Sequence, residues 1–190
     1  MSKWSRFYEG RVGHGYTEYA AGRYDPFIDV IARQLHPGDR VLELGCGIAT
    51  ITRILASRRR YDQLEPLVHF QACDNDPDQI EFARKNLAGI PHVEAFMHDM
   101  RDSFTDQCPT VIHTHGVLEH FDDWTLDRYM ELQRLSGCRI AIHYVPSHKY
   151  DAPSFGDERL MSLGSWERLT HYTDAFTFND GYDYCLIWRY

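Results

Sequence analysis

The chain has 190 residues and a formal net charge of −8, with 43% hydrophobic and 25% charged side chains. The length suits one domain with a core of its own, the composition excludes a disordered chain, and the acidic balance argues against nucleic acid or an anionic membrane as a partner chosen by bulk attraction. Five cysteines, Cys46, Cys73, Cys108, Cys138 and Cys185, are odd in number and contain no C-x-x-C pair. They argue against a disulfide framework or a zinc site and fit a reducing cytoplasm; no apolar run reaches signal-peptide or membrane-spanning length.

The first 37 residues are rich in aromatic side chains, with Trp4, Phe7, Tyr8, Tyr16, Tyr19, Tyr24 and Phe27 among them. Gly13 and Gly15 on either side of His14 predict a loop. A helix is predicted from Asp25-Pro26, with Pro26 in its first turn. Phe27, Val30, Ile31 and Leu35 form its apolar stripe, and His36-Pro37-Gly38-Asp39 ends it.

The stretch Val41-Leu42-Glu43-Leu44-Gly45-Cys46-Gly47-Ile48-Ala49-Thr50 organises the rest of the chain. It reads as a buried strand, a glycine turn and a helix start, with Ile48, Ile51, Ile54 and Leu55 at helical spacing. Gly45 and Gly47 allow the backbone to turn tightly and approach a ligand that a Cβ would block. Glu43 at the strand tip calls for a polar ligand, because burying it unpaired is costly. The combination describes a nucleotide-type site at the carboxyl end of a parallel strand.

The helix from this turn ends near Ser57-Arg58-Arg59-Arg60, whose cations read as solvated charges at its negative end. A second strand fits Leu67–Cys73 and leads to Asp74-Asn75-Asp76-Pro77. Asp76 is placed as a helix N-cap with Pro77 behind it, which leaves Asp74 at the strand end for a ligand. The helix runs to about Leu87. Further strands are predicted at His92–His98, ending in Asp99-Met100, and at Thr110–His115, running into Gly116-Val117-Leu118-Glu119-His120-Phe121. A helix over Asp123–Leu135 with Gly137 behind it and a strand over Arg139–Val145 come next. Tyr150–Leu163 reads as a loop over the active edge that carries substrate contacts. A short helix near Ser165–Leu169 and strands at Asp174–Phe178 and Tyr182–Trp188, joined by Asn179-Asp180-Gly181, complete the chain.

The V-L-E-L-G-C-G motif, followed in order by Asp74, Asp99 and the V-L-E-H turn, resembles the class I S-adenosylmethionine-dependent methyltransferases over roughly Gly38 to Tyr190. The competing dinucleotide fingerprint G-x-G-x-x-G is weakened by Thr50 in place of its third glycine, and Glu43 suits a cofactor ammonium better than a pyrophosphate. The resemblance implies an α/β fold: a three-layer Rossmann-like sandwich on a mostly parallel seven-stranded sheet with an antiparallel last strand. It implies one domain, with 1–37 as a helical leader over a core of 38–190.

The resemblance also implies the site. S-adenosyl-L-methionine, leaving as S-adenosyl-L-homocysteine, would be held by Tyr16, Glu43, Gly45, Cys46, Gly47, Asp74, Asn75, Asp99, Met100 and His115. Asp74 would take the ribose hydroxyls and Asp99 the adenine amino group. His115, His143 and Tyr144 are the candidates for convergence over the methyl group, with His115 or His143 as a base where the nucleophile carries a proton. The expected reaction is in-line displacement by an N, O, S or C atom of a small-molecule acceptor. Gly116 stands where metal-dependent relatives carry the first Glu of E-x-x-E-H, so no metal ligands are assigned. A metal-assisted RNA ribose methyltransferase, a nicotinamide-dependent reductase and a noncatalytic cofactor-binding scaffold are the alternatives, and a homodimer is left open.

Overall fold

The computed structural model of the chain describes residues 3–9, 11, 14–58, 67–154 and 156–190. Five strands run parallel: β1 (Arg40–Leu44), β2 (His69–Asp74), β3 (Val93–Met97), β4 (Val111–His115) and β5 (Ile140–Pro146). β6 (Asp174–Phe178) and β7 (Asp183–Arg189) complete a seven-stranded sheet in the order β3-β2-β1-β4-β5-β7-β6. β7 is antiparallel to both of its neighbours. The chain grows outward from β1 to β3, then returns to the other side of β1 with β4. That reversal leaves a crevice at the carboxyl ends of β1 and β4, the place where open α/β sheets bind ligands.

Seven helices accompany the strands among the described residues: α1 (Lys3–Tyr8), α2 (His14–Arg23), α3 (Asp25–Gln34), α4 (Thr50–Ala56), α5 (Pro77–Leu87), α6 (Asp123–Leu135) and α7 (Leu163–Thr170). β1, β4 and β5 are buried along nearly their whole length, as cover on both faces requires. On one face, Phe27, Ile31 and Leu55 of α3 and α4 pack on Val41, Val111 and Ile142, and α5 sets Ile80, Ala83 and Leu87 against Ala72. On the other, Leu126, Tyr129 and Trp166 of α6 and α7 pack on Leu42, Ile112 and Ala141. Side-chain caps fix the helix starts: Asp76 accepts from the amides of Asp78 and Gln79, Asp122 from Thr125 and Ser162 from Ser165.

Two local expectations change. His14 and Gly15 open α2 rather than lying in a loop; Gly13 lies outside the described residues. Arg58 is not a free surface cation, because it bonds Asp29 at 2.7 Å and lies 3.6 Å from Asp25, tying α4 to α3. Arg59 and Arg60 lie outside the described residues.

The leader is anchored to the sheet by Asp183, whose side chain is fully buried. It accepts from Arg23 at 2.8 Å, from the Tyr144 hydroxyl at 2.9 Å, from the Tyr150 hydroxyl at 2.7 Å and from Asn179. One carboxylate thus joins the end of α2, β5, β7 and the segment after β5. Asp183→Ala strands four donors around a buried cavity and is expected to cost about 3 kcal/mol. Urea unfolding should show a lower midpoint at an unchanged slope; a loss below about 1 kcal/mol would contradict this anchoring.

Candidate functional site

The turn after β1 is built from left-handed backbone. Gly45, Gly47 and Ala49 have φ of 66°, 54° and 57°, a conformation that is cheap for glycine and costs alanine about 1 kcal/mol or more. The neighbouring strand holds the turn in place. Asp74 Oδ2 accepts the Gly47 amide at 2.9 Å, and Oδ1 accepts the Asp76 amide at 3.0 Å. The Cys46 amide donates to the Cys73 carbonyl at 2.9 Å, and Asn86 of α5 donates to the Ile48 carbonyl at 2.9 Å. Gly45 is also required by space, whereas a Cβ on Gly47 would displace only the end of the flexible Gln79 side chain. A Cβ on Gly45 would lie 2.8 Å from Val117 Cγ2, and one on Gly47 would lie 2.9 Å from Gln79 Oε1 and 3.4 Å from the Tyr8 ring.

Over this turn opens a cavity of about 890 Å³. β1 and its turn contribute Glu43, Gly45, Cys46 and Gly47, and the end of β2 contributes Asp74 and Asn75. Asp99 and Met100 follow β3, His115 ends β4, and Tyr16 comes from α2. All ten side chains and glycines named from sequence as cofactor contacts therefore line one space.

Three carboxylates in it differ electrically. Glu43 is buried, and its Oε2 accepts both the amide of Thr52 at 3.1 Å and its hydroxyl at 2.5 Å. Oε1 takes no part in these bonds. Burial raises its pKa to about 7, with the nearby Asp74 charge adding to the rise. Asp74 is also shifted upward by burial. Asp99 is held by the guanidinium and amide of Arg101, and that hydrogen bonding brings its pKa down to about 2.

His115 sits in a ring of aromatic groups. Tyr144 stacks on it at 4.5 Å, Tyr24 meets it edge-on at 4.1 Å, and Phe27 lies at 5.8 Å. Desolvation lowers its pKa to about 3, and its Nε2 has no partner among the described residues.

His143 and Tyr144 do not line the cavity. In the β4–β5 register Thr114 faces His143 and His115 faces Tyr144. Neighbouring residues of a strand point to opposite faces, so His143 cannot join His115. It is fully buried toward α6, with Thr114 Oγ1 at 2.8 Å and Gln133 Oε1 at 2.6 Å. Tyr144 packs behind the cavity wall, stacked on His115 and edge-on to Tyr24, with its hydroxyl bonded to Asp183. The segment 150–163, expected to touch substrate, also stays outside the cavity among its described residues. It braces the V-L-E-H turn from behind: the Arg159 amide donates to Glu119 O and its guanidinium to Phe121 O, both at 2.8 Å. Glu119 is buried with Oε2 unpartnered among the described residues, and burial raises its pKa to about 8. No described group of three or more His, Cys, Asp or Glu side chains is arranged to hold a metal ion.

The profile of a methyltransferase-domain family matches residues 35–136, which include β1 to β4, the glycine turn and α6. The chain belongs to the class I S-adenosylmethionine-dependent methyltransferases. A curated relative, trans-aconitate 2-methyltransferase of Acidovorax ebreus, is 31% identical over 166 residues, covering 84% of this chain and 59% of the relative. The chain thus spans about three fifths of that relative's length. A solved Pyrococcus horikoshii protein superposes with a TM-score of 0.74 at 15% identity over 97% of this chain and 98% of its own. An Aquifex aeolicus S-adenosylmethionine-dependent methyltransferase gives 0.70 at 11% identity over 88% and 90%.

The methyltransferase cavity has the chemistry such a cofactor needs. Two glycines open backbone that side chains would cover, Glu43 keeps Oε1 out of its bonds to Thr52, and Gln79 Oε1 is buried beside Gly47 without a partner among the described residues. Several lining residues were not assigned from sequence: Trp4, Tyr8 and Tyr24 of the leader, Gln79 of α5, Val117 and His120. The aromatic richness of the leader was the available signal for the first three. Sequence spacing places Gln79 for a capping box with Asp76, but the Asp76 amide donates to Asp74 instead, and Gln79 Oε1 has no partner among the described residues.

Burial lowers the pKa of each of His113, His115 and His143 to about 3. The unfolded chain protonates these rings below about pH 6.5, whereas the native chain does not. Their contribution to stability is therefore complete above pH 6.5 and is lost as pH falls toward 3. Imidazole NMR should find three of the 11 histidines neutral between pH 8 and 5. Titration of the His115 ring above pH 5 would contradict the desolvated placement.

Proposed function

We propose that this protein transfers a methyl group from S-adenosylmethionine to a small-molecule acceptor. The observation that carries the reading is the convergence of Glu43, Gly45, Gly47, Asp74 and Asp99 on one cavity at the carboxyl ends of β1, β2 and β3. Family membership and the curated relatives named trans-aconitate 2-methyltransferase support it.

When bound, S-adenosylmethionine supplies a methyl group already activated by a positive sulfur. The protein's part is to hold, orient and exclude water. Glu43 faces the cofactor ammonium, Asp74 the ribose hydroxyls and Asp99 the adenine amino group. The Gly45–Gly47 backbone admits the ligand close to β1. Trp4, Tyr8, Tyr16 and Tyr24 form an aromatic cover that keeps water from the reacting atoms. On this reading 1–190 works as one domain whose leader completes the site, and the free cysteines fit a reducing cytoplasm. No described helix is long and apolar enough to cross a membrane.

Calorimetric titration with S-adenosylhomocysteine tests the reading. Its ammonium lowers the Glu43 pKa from about 7, so binding at pH 7 should release about half a proton, seen as a heat that varies with buffer ionisation enthalpy. Glu43→Gln should abolish the release and weaken binding about tenfold or more, and Asp99→Asn should weaken binding while leaving the proton release intact. Absence of binding by the unmodified protein would overturn the assignment.

A further inference from the structure

Gln79 lies in the first turn of α5 and is 4% exposed. Its backbone amide donates to the Asp76 N-cap at 3.4 Å, but its side-chain Oε1 is buried and has no partner among the described residues. A capping box would send that oxygen back to the Asp76 amide; the amide donates to Asp74 Oδ1 at 3.0 Å instead. Ile80 and Ala83 of the same helix pack with Cys46, Ala49 and Ala72. This docking sets Gln79 against the glycine turn, with Oε1 2.9 Å from the point that a Gly47 Cβ would occupy. Gln79, Gly47 and Asp74 line the same cavity. A buried acceptor left unmet is costly, so the arrangement calls for a donor from a bound molecule.

Chemistry and placement narrow that donor. An amide oxygen accepts from an O–H or N–H and has nothing to offer a carboxylate. Asp74 Oδ2 accepts the Gly47 amide at 2.9 Å, so Asp74 and Gln79 meet one glycine and share whatever group lies over it. Each Asp74 oxygen already accepts a backbone amide, Gly47 at one and Asp76 at the other, and the residue is only 9% exposed. A neighbouring neutral acceptor lets two adjacent hydroxyls be shared between the residues without a second charge beside the carboxylate. The groups proposed for the ammonium and the adenine amino group are held elsewhere: Glu43 by Thr52 of α4, and Asp99 by Arg101.

Resting on the cofactor reading, we infer that Gln79 is a second acceptor for the ribose hydroxyls of the cofactor and, with Asp74, makes the site select a ribose over a deoxyribose. Gln79 Oε1 accepts a hydrogen bond from one hydroxyl. It binds and orients the cofactor and takes no part in the methyl transfer itself.

The test is one of selectivity, because a residue that only supports the turn would weaken every ligand alike. The unmodified protein and Gln79→Met, which keeps the length and loses the acceptor, are titrated calorimetrically with four ligands. These are S-adenosylhomocysteine, its 2′-deoxy and 3′-deoxy analogues, and 5′-methylthioadenosine, which carries the same ribose and no ammonium. Gln79→Ala serves as a second variant, and urea unfolding establishes which variants are folded. The expected result is that loss of the acceptor weakens binding of S-adenosylhomocysteine and 5′-methylthioadenosine about five- to tenfold, while one of the two deoxy analogues loses less than about twofold. Equal losses for S-adenosylhomocysteine and both deoxy analogues, or no loss for any ligand, would overturn the inference. So would a loss for S-adenosylhomocysteine that is absent for 5′-methylthioadenosine, since it would assign Gln79 to the ammonium. Failure of S-adenosylhomocysteine to bind the unmodified protein would strike the cofactor reading instead, so the two failures are separable.

Discussion

The acceptance of the Gly47 amide by the Asp74 carboxylate is the interaction on which the site depends. A chain leaving β1 must reverse within five residues to start α4, and it does so with three left-handed residues, one of them an alanine. That backbone is not self-supporting. It is held by a carboxylate from β2, an amide–carbonyl bond to Cys73 and the Asn86 side chain of α5. Local strain of this kind persists only where surrounding structure over-determines it. Here the determination comes from the parallel pairing of β1 with β2, which sets Leu44 beside Cys73 and so brings Asp74 level with the turn.

From that fixed point the electrostatics follow. Glu43 lies on the α4 face of β1, where Thr52 satisfies one of its oxygens and burial holds the carboxyl near neutrality at about pH 7. Such a group is uncommitted enough to ionise when a cation arrives. Asp99, partly exposed and clamped by Arg101, is fixed as an anion instead. Across the crevice, the Asp183–Tyr144–His115 series carries order from β7 through β5 to the cavity wall. Asp183 orients the Tyr144 hydroxyl, and the Tyr144 ring fixes the plane of His115 by stacking. One buried carboxylate thereby positions both the leader and a cavity-lining ring.

Much of this was legible in the sequence because it is local. The glycine turn, the Asp76 N-cap, the α6 span and the strand-end carboxylates are each set by residues close in the chain, and the structure places them where those rules put them. What was not legible depends on long-range geometry. The leader's tyrosines were visible as a composition, but Tyr8 reaches the glycine turn only because α1 packs beside α5. Gln79 meets Gly47 only once α5 is docked on the sheet. The segment 150–163 was read as substrate-facing from its lack of periodicity, yet Arg159 draws it behind the V-L-E-H turn. His143 is the exception: two-residue alternation already places it and Tyr144 on opposite faces, so their joint convergence on the methyl group was excluded by strand geometry alone.

The most direct test of the central claim is a crystal structure of the protein with S-adenosylhomocysteine. The account predicts the adenosine lying between Asp74 and Asp99, the amino group in hydrogen-bond reach of Glu43, and the Gly45–Gly47 backbone in van der Waals contact with the ligand. Density for the ligand elsewhere on the molecule, with this turn untouched, would contradict it.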